Sequence, residues 1–331
     1  MTDRRQIERR QILGLVAGAA AWPAARALAA DWVPSHAATM VVPYPPGGPT
    51  DLIARLLAQE ISVGLGQPMV IENLPGGAGA IGSRRVAQSA PDGMTLVFGT
   101  NQTHATNISL IPQGGGYDPV RDFTAIAGVA DLQHILVVRP TLAVTSAAEF
   151  LALVRQEPGK VTCGSTGQGS ASHLALELFK KQTGTDLVHV PYRGSAPLLQ
   201  DMMGGHIDAS FATTPTILTQ VQAGRLRALA VASPNRSPHL PDLPTMAEAG
   251  VAGVEADAWL ALFAPRNIPE PALERYRALT AEILARPAVE ARIADLGMTA
   301  HAKTGPEMDA FLVQDVRRWA EVIRTANVRM D

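Results

Sequence analysis

Hydroxyl-bearing residues and glycines gather at two points where an apolar run gives way to a helical one: Pro46-Gly47-Gly48-Pro49-Thr50-Asp51 and Ser165-Thr166-Gly167-Gln168-Gly169-Ser170. At a helix N-terminus the first backbone N–H groups lack an intrahelical partner and carry about half a positive charge. Glycine lets a ligand approach that backbone, and hydroxyls add further donors. Two such turns facing each other would clamp a small carboxylate. Ordinary helix capping draws on the same residue types, and Asp51 already uses the dipole that an anion would want. Thr100-Asn101-Gln102-Thr103-His104 is another polar turn after an apolar run, in which His104 reads equally as a cap or as a ligand contact.

Other chemistries find less support. Gly77-Ala78-Gly79-Ala80-Ile81-Gly82 fits the dinucleotide pattern G-x-G-x-x-G, but four residues separate it from the preceding strand. The next strand ends Gly99-Thr100-Asn101, with no acid to hold a ribose. There is no G-x-S-x-G, S-x-x-K, P-loop or H-E-x-x-H pattern. His173 and Glu177 are four apart on a helical stretch, and no third metal ligand accompanies them. The single cysteine, Cys163, lies in an apolar run and supports neither an internal disulfide nor a metal cluster. Neither an enzyme, a metal nor a cofactor is expected. A formal net charge of -2 gives no general electrostatic grip on nucleic acid.

Such turns need strands that end where they begin and helices that start where they stop. The 331 residues, 47% apolar and 18% charged, suffice for about two globular α/β domains. Apolar strands are predicted at 38–42, 69–71, 95–98 and 135–138, and the pattern restarts with 161–163, 187–190, 207–211 and 226–231. Leu52, Ile53, Leu56, Leu57 and Ile61 recur at helical spacing after the first turn, with Thr50 or Asp51 as the cap. Leu174, Leu178 and Phe179 stripe the helix after the second, and another helix spans 83–89. After one more strand at 259–263 only helices follow, the strongest at 306–326, and helices without strands must cover an existing sheet. The economical arrangement is a discontinuous one: residues 36–137 with 257–331 in lobe 1, residues 138–256 in lobe 2, and two crossings forming a hinge.

The first 29 residues read as an export signal, with Arg4, Arg5, Arg9 and Arg10, an Ala/Gly-rich apolar run, and Ala27-Leu28-Ala29 as a cleavage site. The route is twin-arginine or general secretory, because Arg9-Arg10 is paired but Glu8 departs from the twin-arginine pattern. Cleavage near Ala29 removes five arginines and two acids, taking the net charge from -2 to about -5.

Val42-Pro43-Tyr44-Pro45-Pro46-Gly47-Gly48-Pro49-Thr50-Asp51, Glu72-Asn73-Leu74-Pro75-Gly76-Gly77-Ala78-Gly79, residues 164–173 and His189-Val190-Pro191-Tyr192-Arg193-Gly194-Ser195-Ala196-Pro197 are among several stretches spread over nearly the whole mature chain. In sequence and in order they closely resemble the Bug family, the TctC-like periplasmic solute-binding proteins of tripartite tricarboxylate transporters. The resemblance implies a two-lobed, type II-like Venus-flytrap fold, each lobe a mainly parallel sheet flanked by helices. It implies ligand contacts from Tyr44, Thr50, Asp51, Thr100, Asn101 and His104 in lobe 1. From lobe 2 it implies Ser165, Thr166, Gly169, Ser170, Ala171, Tyr192 and Thr213. Ser165, Ser170 and the amides of Gly169 and Ala171 would hold the carboxylate, while Tyr44 and Thr213 would shape the distal pocket. Many relatives carry an acid where this chain has Ala212, and an acid there could hold a ligand ammonium. The expected ligand is therefore a di-, tri- or aromatic carboxylate without a paired amine.

The function expected is periplasmic capture of a small organic acid and its delivery to membrane transporter subunits, by a monomer with no nucleic-acid partner. A component that presents ligand to a signalling receptor would use the same binding chemistry. An exported enzyme would need His104 or His173 as a base, and no nucleophile or orienting partner accompanies either.

Overall fold

The computed structural model describes residues 32–326 and Val328, so the export signal lies outside the described residues. Among the described residues, eleven strands form two sheets. The first contains β1 (Ala38–Val42), β2 (Met69–Asn73), β3 (Thr95–Thr100), β4 (Phe123–Leu132), β10 (Ala258–Pro265) and β11 (Thr299–Ala300), in the order β11-β4-β10-β3-β1-β2. The second contains β5 (His134–Val138), β6 (Thr162–Ser165), β7 (Val188–Pro191), β8 (Ala209–Thr213) and β9 (Arg227–Val231), in the order β7-β6-β8-β5-β9. Gln133 alone separates β4 from β5, so the chain passes from one sheet to the other within a residue. It returns between Val231 and Ala258.

Parallel pairing holds for β3-β1-β2 and for β7-β6-β8. Around the crossing strands the sheets turn antiparallel: β10 against β3 and β4, and β5 against β8 and β9. A strand that enters a lobe through the hinge runs opposite to strands launched by crossover helices, so each sheet is mixed.

β4 is a strand that the sequence pattern conceals. Its Thr124-Ala125-Ile126-Ala127-Gly128-Val129-Ala130 is poor in the bulky β-formers. Small residues are what the tertiary position demands, since a side chain on Gly128 would begin 2.7 Å from the His301 ring.

Ten helices cover the described residues of the sheets: α1 (Pro49–Leu65), α2 (Ala80–Ala87), α3 (Asn107–Leu110), α4 (Ala147–Gln156), α5 (Ala171–Thr183), α6 (Ser195–Met203), α7 (Thr214–Gln222), α8 (Glu270–Leu284), α9 (Pro287–Asp295) and α10 (Gly305–Thr325). α1 buries Ile53, Leu57, Ile61 and Leu65 at four-residue spacing. Pro49 opens it after Gly48, and neither Thr50 nor Asp51 caps it. α10 starts with a reciprocal Thr304–Glu307 capping box and buries Trp319 and Ile323. The indole of Trp259 on β10 donates to Asp315 of α10 at 2.8 Å, fixing the helix over the sheet. Phe150, Phe179 and Phe211 fill lobe 2, while Phe123, Phe263 and Trp319 fill the lobe 1 face beneath α10. Each fully buried aromatic of this kind stabilises by roughly 2–3 kcal/mol. Cys163 is buried among them, and burial pushes its thiol up to about 12, so it is an inert apolar residue.

Candidate functional site

A cavity of about 140 Å³ lies between the lobes. Its wall is built from the carboxyl ends of strands in both sheets, where α/β folds bind ligands. From lobe 1, the loop after β1 contributes Tyr44 and Thr50, and the turn after β3 contributes Thr100, Asn101 and Gln102. Leu132, His134, Ala258 and Leu260 form the hinge wall. From lobe 2 come Thr166, Ser170, Ala171, Thr213 and the segment 193–197.

The lobe 1 turn is braced by a carboxylate. Asp51, 2% exposed, accepts from the Gly47 amide at 2.9 Å, from Arg55 Nε at 2.9 Å and from Asn73 Nδ2 at 2.9 Å. Burial alone would raise its pKa, but the bonds from Arg55, Gly47 and Asn73 outweigh it and hold the group below the usual carboxylate value. Asn73 also donates to the Tyr44 carbonyl at 3.1 Å, tying the loop to β2. Both Asp51 oxygens are thus spent behind the turn, and its side chain does not line the cavity. Thr50 does, and the main-chain N–H groups of Thr50 and Asp51 fall in the first turn of α1, without an intrahelical acceptor. Beside them the Tyr44 hydroxyl bonds Thr100 Oγ1 at 2.7 Å and Gln102 Oε1 at 3.2 Å, and burial raises its pKa.

The lobe 2 turn is braced by a serine and two stacked histidines. Ser165 Oγ bonds His189 Nε2 at 2.7 Å and donates to the Gly167 carbonyl at 3.1 Å. The Gly169 amide donates to His173 Nδ1 at 3.1 Å, and His173 stacks on His189 with ring centroids 4.0 Å apart. Burial, with Lys180 nearby, pushes His173 down to about 4, so the ring is the neutral acceptor the amide requires. Gly169 has φ 72, a left-handed backbone that turns the chain into α5. Ser170 caps α5 by accepting from the His173 amide at 3.3 Å, and it donates to Gly167 O at 2.6 Å. Ser165 and Gly169 therefore support the turn from within, while Thr166, Ser170 and Ala171 reach the cavity.

Two further predicted residues face elsewhere. His104 is fully buried in the π-helical turn Gln102–Thr106, stacked on Phe263 at 4.1 Å and pushed by burial down to about 3. It is a core ring. Tyr192 donates to Asp201 at 2.6 Å and lines a neighbouring recess with Gly167 and Gln168. Burial and Asp201 push its phenol up to about 12. Tyr44, Thr50, Thr100, Asn101, Thr166, Ser170, Ala171 and Thr213 are brought together around this one cavity.

The position picked out for a missing acid also changes meaning. Ala212 is buried in an apolar cluster with Ile135, Leu198 and Met202, so an acid there would enter that cluster and not the cavity. The stronger observation is that no aspartate or glutamate lines the cavity among the described residues, and its one charged residue is the exposed Arg193.

Sequence reasoning missed Arg193, Gly194, Ser195, Gln102 and His134. The first three follow β7 and open α6, the same strand–turn–helix signal that marked the other two turns. Thr213 likewise precedes α7. Four helices, α1, α5, α6 and α7, consequently begin at this cavity. Across the lobes, Gln102 Nε2 donates to Gln168 O at 3.2 Å and Thr106 Oγ1 to Gly169 O at 3.2 Å.

Two interleaved lobes, a hinge of crossing strands and a cavity rimmed by helix N-termini define a two-lobed solute-binding protein of the periplasmic type. Residues 53–328 match the tripartite tricarboxylate transporter family receptor, TctC, and the chain belongs to that family. It is 35% identical over 304 residues to BugT of Bordetella pertussis, covering 92% of this chain and 93% of the relative. A Rhodopseudomonas palustris protein solved with adipate superposes with a TM-score of 0.86 at 36% identity, over 90% of this chain and 99% of the other. MatC from R. palustris with bound malate gives 0.82 at 32% identity, over 88% and 99% of the two chains. The periplasmic binding protein BugD gives 0.84 at 32% identity, over 90% and 100%. The family is one of solute-binding receptors.

Proposed function

We propose that this chain captures a small organic carboxylate, a di-, tri- or aromatic acid without a paired amine, and delivers it to a tripartite tricarboxylate-type membrane transporter. The observation that carries the reading is the convergence of four helix N-termini and one guanidinium on a cavity whose described wall holds no acid. The adipate and malate held by two similar proteins support the ligand class. In this reading the amides of Thr50, Asp51 and Ala171 hold the carboxylate, and Ser170, which caps α5 and donates to Gly167 O, fixes the turn that presents the Ala171 amide. Tyr44, Thr100, Thr166 and Thr213 shape the cavity, and Asn101 offers an amide. Asp51, Ser165 and Gly169 act through the turns they brace, whereas His104 and Tyr192 keep to their packing roles. Residues 1–29 direct export to the periplasm, where the chain works as a monomer of two lobes divided at Gln133 and between Val231 and Ala258, so that β5 belongs to lobe 2 and not, as the sequence pattern placed it, to lobe 1. Closure of the lobes then presents a changed surface to the transporter.

A thermal-shift screen of carboxylates tests this directly, because ligand at 100 times its Kd stabilises by about 2.7 kcal/mol. Succinate-like acids should bind more tightly than aspartate or glutamate, and the reverse order would defeat the reading. Ser170→Ala should weaken the best acid about three- to tenfold by removing the cap that sets the Ala171 amide at the start of α5. Unchanged affinity in both Ser170→Ala and Ser165→Ala would defeat the site assignment.

A further inference from the structure

Lobe 1 reaches across the cleft to the turn of lobe 2 that ends in the Ala171 amide. Gln102 and Thr106, the two ends of the π-helical turn, donate to Gln168 O and Gly169 O, each at 3.2 Å. Wide π turns of this kind recur at functional sites. This one is anchored in its own lobe, since Thr103 Oγ1 accepts from the Thr100 amide at 3.0 Å and His104 stacks on Phe263. Gln102 also accepts from the Tyr44 hydroxyl at 3.2 Å, which ties it to the loop after β1.

Both carbonyls belong to peptide units that lobe 2 holds by the other end. In the 168–169 unit the Gly169 N–H donates to His173 Nδ1 at 3.1 Å while the C=O accepts from Gln102. In the 169–170 unit the Ser170 N–H donates to Gly167 O at 3.2 Å while the C=O accepts from Thr106. A peptide unit is planar, so turning either one would break a bond at one end or the other, and bonds in series strengthen each other. The amide of Ala171, which lines the cavity, comes next along the chain. Thr106 is fully buried and does not line the cavity, so its hydroxyl acts on a ligand only through this turn. The same hydroxyl back-bonds to Gln102 O at 3.2 Å, as threonine often does in helices, but only its bond to Gly169 O crosses the cleft.

We propose that Gln102 and Thr106 are positioning residues: when the lobes meet they fix the 168–170 backbone so that the Ala171 amide is aimed at the carboxylate, and they hold the lobes closed over it. This rests on the carboxylate reading above and names what lobe 1 supplies to the lobe 2 half of that site. Bonds made only with the lobes together slow the escape of the acid and leave its arrival at the open cleft unaltered.

The test uses the mature chain with succinate, malate, adipate, citrate and benzoate, reading affinity by calorimetry and release by chasing radiolabelled acid with unlabelled. Thr106→Val keeps the side-chain shape and removes the donor, whereas Thr106→Ser keeps the donor. The valine variant should bind the tightest of these acids about three- to tenfold more weakly, through faster release with association within about twofold. Thr106→Ser should stay within about twofold of the unaltered chain in both rates. Gln102→Met should repeat the valine pattern, and it carries the test if Thr106→Val fails to fold, with melting curves to establish folding. Unchanged release in both Thr106→Val and Gln102→Met, or a loss in Thr106→Val that Thr106→Ser shares, would overturn the positioning role and leave the carboxylate reading standing. If none of the acids binds the unaltered chain, the carboxylate reading itself falls, and this proposal with it.

Discussion

The turns after β1 and β6 present helix N-termini to the same cavity, but they are held in opposite ways. In lobe 1 a buried carboxylate gathers Gly47, Arg55 and Asn73. In lobe 2 a serine and two stacked imidazoles do the bracing, with the chain's own amide as donor. The first brace uses charge-assisted bonds, which are about twice as strong as neutral ones, and it is partly open to solvent through the half-exposed Arg55. The second depends on His173 staying unprotonated, because its Nδ1 accepts from the Gly169 amide. Amides can thus be aimed at one anion by either chemistry, and acid should distinguish the two.

The largest effect should come from cutting the charged brace. Asp51→Ala leaves the Gly47 amide and Asn73 without their shared acceptor, and we expect a loss of about 3 kcal/mol in urea unfolding. Affinity for the best acid should fall more than tenfold. Asp51→Asn, which keeps one acceptor oxygen, should lose less of both. If Asp51→Ala binds normally, the brace does not position α1 and the contrast between the turns has no functional weight.

Both turns are legible in the sequence because strand, turn and helix are local patterns: an apolar run, Gly and hydroxyls, then apolar residues at helical spacing. The direction of each side chain is not local. Asp51, Ser165 and Gly169 lie in the turns singled out, yet they face inward because their partners, Asn73, His189 and His173, are supplied by other elements or by the following helix turn. β4 was missed because its small residues answer to the C-terminal segment packed on it, more than a hundred residues downstream. His134 carried no signal, since only the crossing between sheets brings the start of an apolar strand to a cavity wall.

The neutral brace should fail first on acidification. His173 is lowered to about 4 from an ordinary value of 6.5, so the unfolded chain binds more protons than the folded one between these values. Its contribution is complete above about pH 6.5 and is lost as pH falls toward 4. Between pH 7 and 5 this group alone should remove about 2 kcal/mol. The Asp51 carboxyl is also lowered, but a carboxylate with a depressed value keeps its contribution until pH falls below its ordinary 3.8. His104 and His134 are lowered by burial too and add to the acid-side loss in every variant that retains them. The informative quantity is therefore a difference: His173→Gln should lose about 2 kcal/mol less than the unaltered chain between pH 7 and 5, measured by urea unfolding. An equal loss in both would mean that the second turn is not the acid-sensitive one.

The smallest effect should be that of Arg193, which lies on the lobe 2 rim of the cavity and belongs to neither brace. Its guanidinium is exposed and makes no ion pair among the described residues, so solvent and salt screen it strongly. It acts on an arriving anion through its field, whereas the helix N-termini act through fixed short bonds. Arg193→Ala should weaken carboxylate binding about two- to threefold in low salt, chiefly by slowing association, and the difference should vanish near 0.5 M salt. A loss that persists in high salt and appears as faster dissociation would make Arg193 a direct ligand contact. Lobe 2 would then hold the anion with a full charge where lobe 1 uses only amides and hydroxyls, reversing the assignment of charge and neutrality between the two turns.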